Sequence, residues 1–253
     1  MPVCKACRNF VVEGGKCSTC GLAGIEMTAV VAGHQSAAAA TPLRPVGRTP
    51  VARLIVIDDD SDLAGECFRL RRPETSIGRR ACNVTIDQDA DMSSCHAYVV
   101  REEAPPGNWK WQLRDAKSTN GTFVRVTEMM LVDGTRFRVG GVPCSWREDL
   151  SKDQLELIRH GNRDTRFRIR AKKQLVIGSE SADVDLAMID ATIDSRHAKL
   201  QKSNNVWSLF DMGSRNGLWR SVATHPLASG DQFLCGQQRF RIEIPGVSGE
   251  RDA

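Results

Sequence analysis

Beyond about residue 50 the chain alternates apolar and polar positions over short runs, as in Arg53-Leu54-Ile55-Val56-Ile57, Trp109-Lys110-Trp111-Gln112-Leu113 and Arg136-Phe137-Arg138-Val139. A period of two is the signature of a strand with one buried face. Turn-forming groups separate the runs: Asp59-Asp60, Pro105-Pro106-Gly107-Asn108, Asn120-Gly121 and Asp133-Gly134. No stretch keeps an apolar stripe at helical spacing. Many short strands so punctuated predict an all-β sandwich or barrel. Residues 28–50 differ, with Pro42, Pro45, Pro50 and an alanine run at 37–40 but no periodicity, and read as a flexible Pro/Ala-rich linker.

The strand-rich text occurs twice. Ser76-Ile77-Gly78 returns as Val176-Ile177-Gly178, Cys95-His96-Ala97 as Arg196-His197-Ala198, and Ser118-Thr119-Asn120-Gly121 as Ser214-Arg215-Asn216-Gly217. Leu131-Val132-Asp133-Gly134 returns as Leu227-Ala228-Ser229-Gly230. The period is too long for a solenoid and marks two copies of one domain. The expected boundaries are 51–148 and 153–245, two touching sandwiches joined by a short connector, with a loose tail at 246–253.

Composition narrows the function. The 253 residues carry 35 basic and 31 acidic side chains, a net charge of +4, too balanced for a general nucleic-acid or membrane binder. No apolar stretch reaches the roughly 18 residues of a membrane span. Met1-Pro2-Val3-Cys4 begins no signal-peptide pattern, so a cytoplasmic protein is expected. Nine cysteines, an odd number, argue against a disulfide framework.

Four of those cysteines fall in residues 1–27. Cys4-x2-Cys7 and Cys17-x2-Cys20 flank Phe10-Val11-Val12 and Gly14-Gly15, a small hairpin that would bring both pairs to one tetrahedral Zn²⁺. So short a segment cannot bury a core, and the metal must supply the folding energy. Redox-active CxxC pairs are the alternative; two pairs so close favour a structural zinc ribbon, saturated by four thiolates. The segment resembles short zinc ribbons at the N-termini of bacterial proteins.

Gly78-Arg79, then Ser93-x-x-His96, then Asp115-x-x-Ser118-x-Asn120-Gly121-Thr122 resembles the motif series of the forkhead-associated (FHA) domain. The resemblance implies two antiparallel β-sandwiches whose loops at one end bind phosphothreonine peptides. The chemistry agrees: a phosphate dianion calls for a forked cation, which Arg79 offers, and for short donors, which Ser93, Ser94 and Thr119 offer. Asn120 would fix the peptide main chain. By the same resemblance His96 is scaffold. Gly78, read by itself, would serve a tight backbone bend at the end of a strand. Ser94 stands where the family often has a basic residue, and Arg80 is placed to compensate. Thr41-Pro42 and Thr49-Pro50, in the linker, are candidate phosphorylation sites that could fold back onto Arg79.

The second copy keeps the scaffold and loses the pocket. Ser179 replaces the arginine and Asp194 the serine, setting a carboxylate where a dianion would bind. The expected function is therefore a non-enzymatic phosphothreonine-peptide adaptor in Ser/Thr kinase signalling. Its first FHA domain reads the kinase or its substrate, and the second domain and zinc ribbon are interaction modules. The alternative is a nucleic-acid-associated factor using the ribbon and the basic cluster Arg163, Arg166, Arg168, Arg170, Lys172 and Lys173, whose alternation puts arginines on one strand face. No Walker-type loop or nucleophile–base pair suggests an enzyme.

Overall fold

A computed structural model describes residues 51–57, 64–104, 108–149, 154–169, 173–179 and 184–245. The cysteine head with Cys4, Cys7, Cys17 and Cys20, the linker, Arg170, Lys172 and the tail lie outside the described residues. Those described form twenty strands and no helix, as the alternating pattern predicts. The first copy contributes β1 (Arg53–Ile57), β2 (Ala64–Arg69), β3 (Glu74–Gly78), β4 (Val84–Thr85), β5 (Ala97–Ala104), β6 (Asn108–Asp115), β7 (Thr122–Val126), β8 (Glu128–Leu131), β9 (Arg136–Val139) and β10 (Val142–Asp149). The second repeats them in order: β11 (Gln154–Arg159), β12 (Thr165–Ile169), β13 (Gln174–Gly178), β14 (Leu186–Ala187), β15 (Ala198–Ser203), β16 (Val206–Asp211), β17 (Leu218–Val222), β18 (Thr224–Leu227), β19 (Gln232–Cys235) and β20 (Gln238–Glu243).

The strands do not stay with their own copy. One long sheet runs β12-β11-β10-β9-β17-β7-β19-β20-β1-β2, and two five-stranded sheets run β14-β13-β15-β16-β8 and β18-β6-β5-β3-β4. Each sandwich thus takes its last three strands from the other copy. The cores record the exchange. Leu54, Val56, Ile77, Val99 and Leu113 pack with Phe233, Cys235, Phe240 and Ile242. Leu157, Ile177, Leu200 and Leu209 pack with Met129, Phe137, Val139 and Trp146. The boundaries 51–148 and 153–245 therefore mark the sequence repeats, and the expectation of two self-contained consecutive sandwiches is corrected.

The crossing has a local cause. A single residue, Thr127, separates β7 from β8, and a single residue, Ala223, separates β17 from β18. A tight hairpin needs at least two loop residues, commonly Asn or Gly at positive φ. Neither connector residue is Gly or Asn, and neither has positive φ. The chain therefore runs on and enters the partner copy. β7 and β17 pair antiparallel with Val124 opposite Arg220. These two residues hold equivalent positions in the repeats, so a pseudo-twofold axis passes between them. The connectors are also gripped: the Thr127 carbonyl accepts from Asp211 N at 2.8 Å and the Ala223 carbonyl from Asp115 N at 2.9 Å.

The described cysteines Cys67, Cys82, Cys95, Cys144 and Cys235 are free thiols. Burial among apolar side chains pushes the Cys144 thiol up to about 12 and raises Cys235 as well, which suits both to packing rather than chemistry.

Cutting the chain within 150–153, between neighbouring strands β10 and β11, tests the exchange. The two halves are expected to co-elute on size exclusion and to unfold in one transition, because each half carries strands of both sandwiches. Halves that elute singly while folded would contradict it.

Candidate functional site

The loops that follow β3 and precede β5 meet beside the end of β6. Gly78 is the reason they come so close. A Cβ there would lie 2.3 Å from the Ser94 carbonyl oxygen and 2.9 Å from Cys95 Cα. Its φ is not positive, so close backbone approach, and not the bend expected from sequence, requires glycine at this position. Across the contact, Arg79 N donates to Ser93 O at 2.9 Å and Arg80 N to Ser94 O at 3.2 Å. Ala81 then takes φ +52°, a left-handed conformation that costs a non-glycine residue about 1 kcal/mol or more.

The third loop is closed by a side-chain network. Asp115 accepts from the Ser118 hydroxyl and backbone, and from Thr122 Oγ1 at 2.7 Å, while Ser118 Oγ accepts from Gly121 N at 3.1 Å. This turn presents Thr119 and Asn120. Thr119 N donates to Ser93 Oγ at 3.1 Å, and Asn120 Nδ2 donates to Asp91 O at 2.8 Å. Arg136 Nη2 reaches the Asn120 carbonyl at 3.4 Å.

All five expected site positions, Arg79, Ser93, Ser94, Thr119 and Asn120, thus lie on loops tied to one another. Arg79 is half-buried, and Arg80, Ser94 and Thr119 are exposed. Among the described residues Arg79 has no ion pair, and its Nε is buried without a partner. Arg79 is thus carried on a loop bonded to those that bear hydroxyl and amide groups, and a forked cation with such donors is the chemistry that receives an oxyanion.

His96 is fully buried and joins the loops from beneath. Ser93 N donates to its Nδ1 at 3.1 Å, so Nε2 carries the proton toward the Gly121 carbonyl, also at 3.1 Å. This is the scaffold role expected of it. Burial holds the imidazole below its ordinary 6.5, with the Gly121 hydrogen bond opposing the shift. His197 makes the same bridge between Asp194 N and Gly217 O.

At the equivalent site of the second copy the internal bonds persist and the cation is missing. Ser179 N donates to Asp194 O at 3.0 Å, and Asn216 Nδ2 to Thr192 O at 2.9 Å. Asp194 Oδ2 accepts Arg215 N at 2.8 Å, which places a carboxylate where the first copy has the Ser93 hydroxyl. In the basic cluster, Arg166 and Arg168 both pair with Glu156, at 3.2 and 3.4 Å. Their charge is partly neutralised on the edge strand β12, which weakens the nucleic-acid reading.

Sequence reasoning missed the groups that strand exchange brings to the site. Asp89 Oδ2 accepts from Gln237 N at 2.7 Å, and Gln237 Nε2 donates to Asp91 Oδ2 at 2.6 Å. Gln237 lies in the β19–β20 turn of the other copy, and no local signal connects it to residue 91.

The chain matches the FHA domain over residues 75–140 and 175–236, together half of its length, and belongs to that family. It is 29% identical over 124 residues to the glycogen accumulation regulator GarA of Mycobacterium tuberculosis, an alignment covering 47% of this chain and 72% of GarA. Among solved structures it resembles M. tuberculosis EmbR in complex with a low-affinity phosphopeptide, at 16% identity and a TM-score of 0.33, over 78% of this chain and 25% of EmbR. It also resembles the Slr1951 protein of Synechocystis, at 14% identity and a TM-score of 0.34, over 76% of this chain and 97% of that protein.

Because folding holds His96 neutral, its stabilising effect is complete above pH 6.5 and declines below it, where the unfolded chain takes up a proton that the folded chain resists. His225, also depressed by burial, acts with the same sign. The urea midpoint is expected to fall between about pH 7.5 and about pH 5.5. A flat midpoint would contradict the buried neutral bridge.

Proposed function

We propose that the chain is a non-enzymatic adaptor that binds phosphothreonine peptides through the loops of its first FHA repeat, in Ser/Thr kinase signalling. Arg79 takes two phosphate oxygens, Ser93, Ser94 and Thr119 supply further donors, and Asn120 holds the peptide main chain. The single observation that carries this reading is that Arg79, which has no ion pair among the described residues, sits on loops already locked in place by Gly78, His96 and Asp115. No rearrangement is then needed before the phosphate binds, so little of the binding energy is lost to ordering. Membership of the FHA family supports a phosphothreonine-containing protein as partner, the kinase or its substrate.

The second repeat serves as an interaction and packing module, since Asp194 repels a dianion and Ser179 offers no fork. The four thiolates of Cys4, Cys7, Cys17 and Cys20 are a donor set that suits Zn²⁺ and leaves no open position, so the ribbon acts as a further docking element. No helix among the described residues is long and apolar enough to cross a membrane. A cytoplasmic location is part of the proposal.

In calorimetric titration of the full chain with a phosphothreonine peptide, Arg79→Ala is expected to weaken binding at least about tenfold. Charge-assisted hydrogen bonds contribute roughly 1.5–3 kcal/mol each. Binding that survives either this substitution or phosphatase treatment of the peptide would refute the assignment. The purified chain should also carry one zinc, lost in Cys7→Ser; zinc retained by that variant would refute the ribbon.

A further inference from the structure

The four central strands of the long sheet, β9, β17, β7 and β19, turn one face to the two cores and the other away from them. On that second face they bear Arg138, Trp219, Phe123 and Leu234. The three apolar side chains form a buried cluster separate from both cores. Arg138 holds the position equivalent to Leu234 and lies opposite Trp219. Arg125 shares this face, but its guanidinium is bonded to Gln232 and to the Ser214 carbonyl.

Arg138 is only 6% exposed, its Nε is buried without a partner, and no carboxylate pairs with it among the described residues. Its guanidinium lies 4.8 Å from the centre of the Phe123 ring. Burial weighs against its charge, Asp91 and Asp89 favour it from a distance, and Arg136 opposes it. A cation held this way is stabilised only in part.

Two clefts, of about 260 and 310 Å³, open on either side and share Arg138, Gly141 and Gln237. The smaller cleft is also lined by Asn120, Arg136, His160 and Asp91. His160 is engaged with Ser145 and Asp164, and Asp91 with Gln237. Arg138 is thus the lining cation with no partner, and Asn120 connects its cleft to the Arg79 loops. The cleft exists only because the strands are exchanged: Phe123 precedes the first crossing, Arg138 follows it, and Gln237 follows the second.

We propose that Arg138 is a second anion-accepting subsite, which takes an acidic group of the same peptide whose phosphothreonine is held at Arg79. This inference rests on the reading of the Arg79 site given above. The accepted group is an oxyanion, either the carboxylate of a glutamate or a second phosphate. It displaces cleft water, pairs with the guanidinium and removes the cost of burying that charge alone. The subsite makes the chain selective for phosphothreonine peptides with a further negative charge downstream.

The test uses the full chain and three phosphothreonine peptides, whose downstream positions are alanine throughout, carry one glutamate, or carry a second phosphothreonine. The wild-type chain should bind at least one of the acidic peptides at least about tenfold more tightly than the alanine peptide, as one charge-assisted contact implies. The arm showing the larger gain identifies the oxyanion. Arg138→Leu, which copies the residue at the equivalent position of the other repeat, should abolish the gain while leaving alanine-peptide affinity within about twofold. Arg138→Gln, which stays polar, should do the same, so a folding defect in one variant does not decide the matter. A gain that persists in a folded variant, or no gain in the wild type while the alanine peptide binds, overturns the subsite alone. No binding of the alanine peptide overturns the Arg79 reading and the subsite with it.

Discussion

The connector between β7 and β8 is one residue long, and so is its counterpart between β17 and β18. A chain that cannot turn must continue, and strands that continue must find hydrogen-bond partners elsewhere. With two copies joined in one polypeptide, the nearest unfilled sandwich is the other repeat. The exchange is reciprocal, so neither core is left incomplete. Phe233 and Phe240 fill one sandwich, and Phe137 and Trp146 fill the other. Removing one such aromatic costs about 3–5 kcal/mol, a large share of the stability of a domain of this size. Each repeat is therefore held in place by the core of its neighbour.

That mutual dependence reaches the loops that carry Arg79, Ser93 and Asn120. Asp115, which organises the turn bearing Thr119 and Asn120, donates its backbone N–H to the Ala223 carbonyl at the crossing point of the other repeat. Asp211 makes the same bond to Thr127. Gly236, in the exchanged β19–β20 turn, has φ +63° and no room for a Cβ, which would fall 2.4 Å from Asp89 Oδ2. These loops of the first repeat thus rest on backbone supplied by the second. The second repeat, with Ser179 at the position of Arg79, still has a structural reason to be present: its residues 223 and 237 bond to Asp115 and Asp89 beside the first repeat's loops.

Much of this was legible in the sequence, and the boundary of what was legible is physical. Alternation over Arg53–Ile57 or Arg136–Val139 reports one buried face, so strand identity could be read directly. The ordered motif from Gly78 to Thr122 identifies loops whose residues lie within hydrogen-bonding reach, because short-range geometry enforces their proximity. Alternation does not report which core a face covers. Phe137 is equally apolar in either sandwich, and only the missing turn at Thr127 distinguishes the two. Contacts such as Gln237 with Asp91, far apart in sequence and joined only by the crossing, leave no local trace.

Arg138 shows the same limit from the functional side. In sequence it is one polar position in the alternating Arg136-Phe137-Arg138-Val139 and reads as a solvent-facing residue. In a sheet that ended at β9 it would be one. Exchange continues the sheet through β17 and β7 and sets Trp219 opposite Arg138, so a side chain patterned for water becomes almost wholly buried beside Phe123. Nothing in the fold requires a cation there, since Leu234 occupies the equivalent position. Burying an unpaired guanidinium is costly when an apolar residue would fit. That cost argues for a partner supplied from outside the chain.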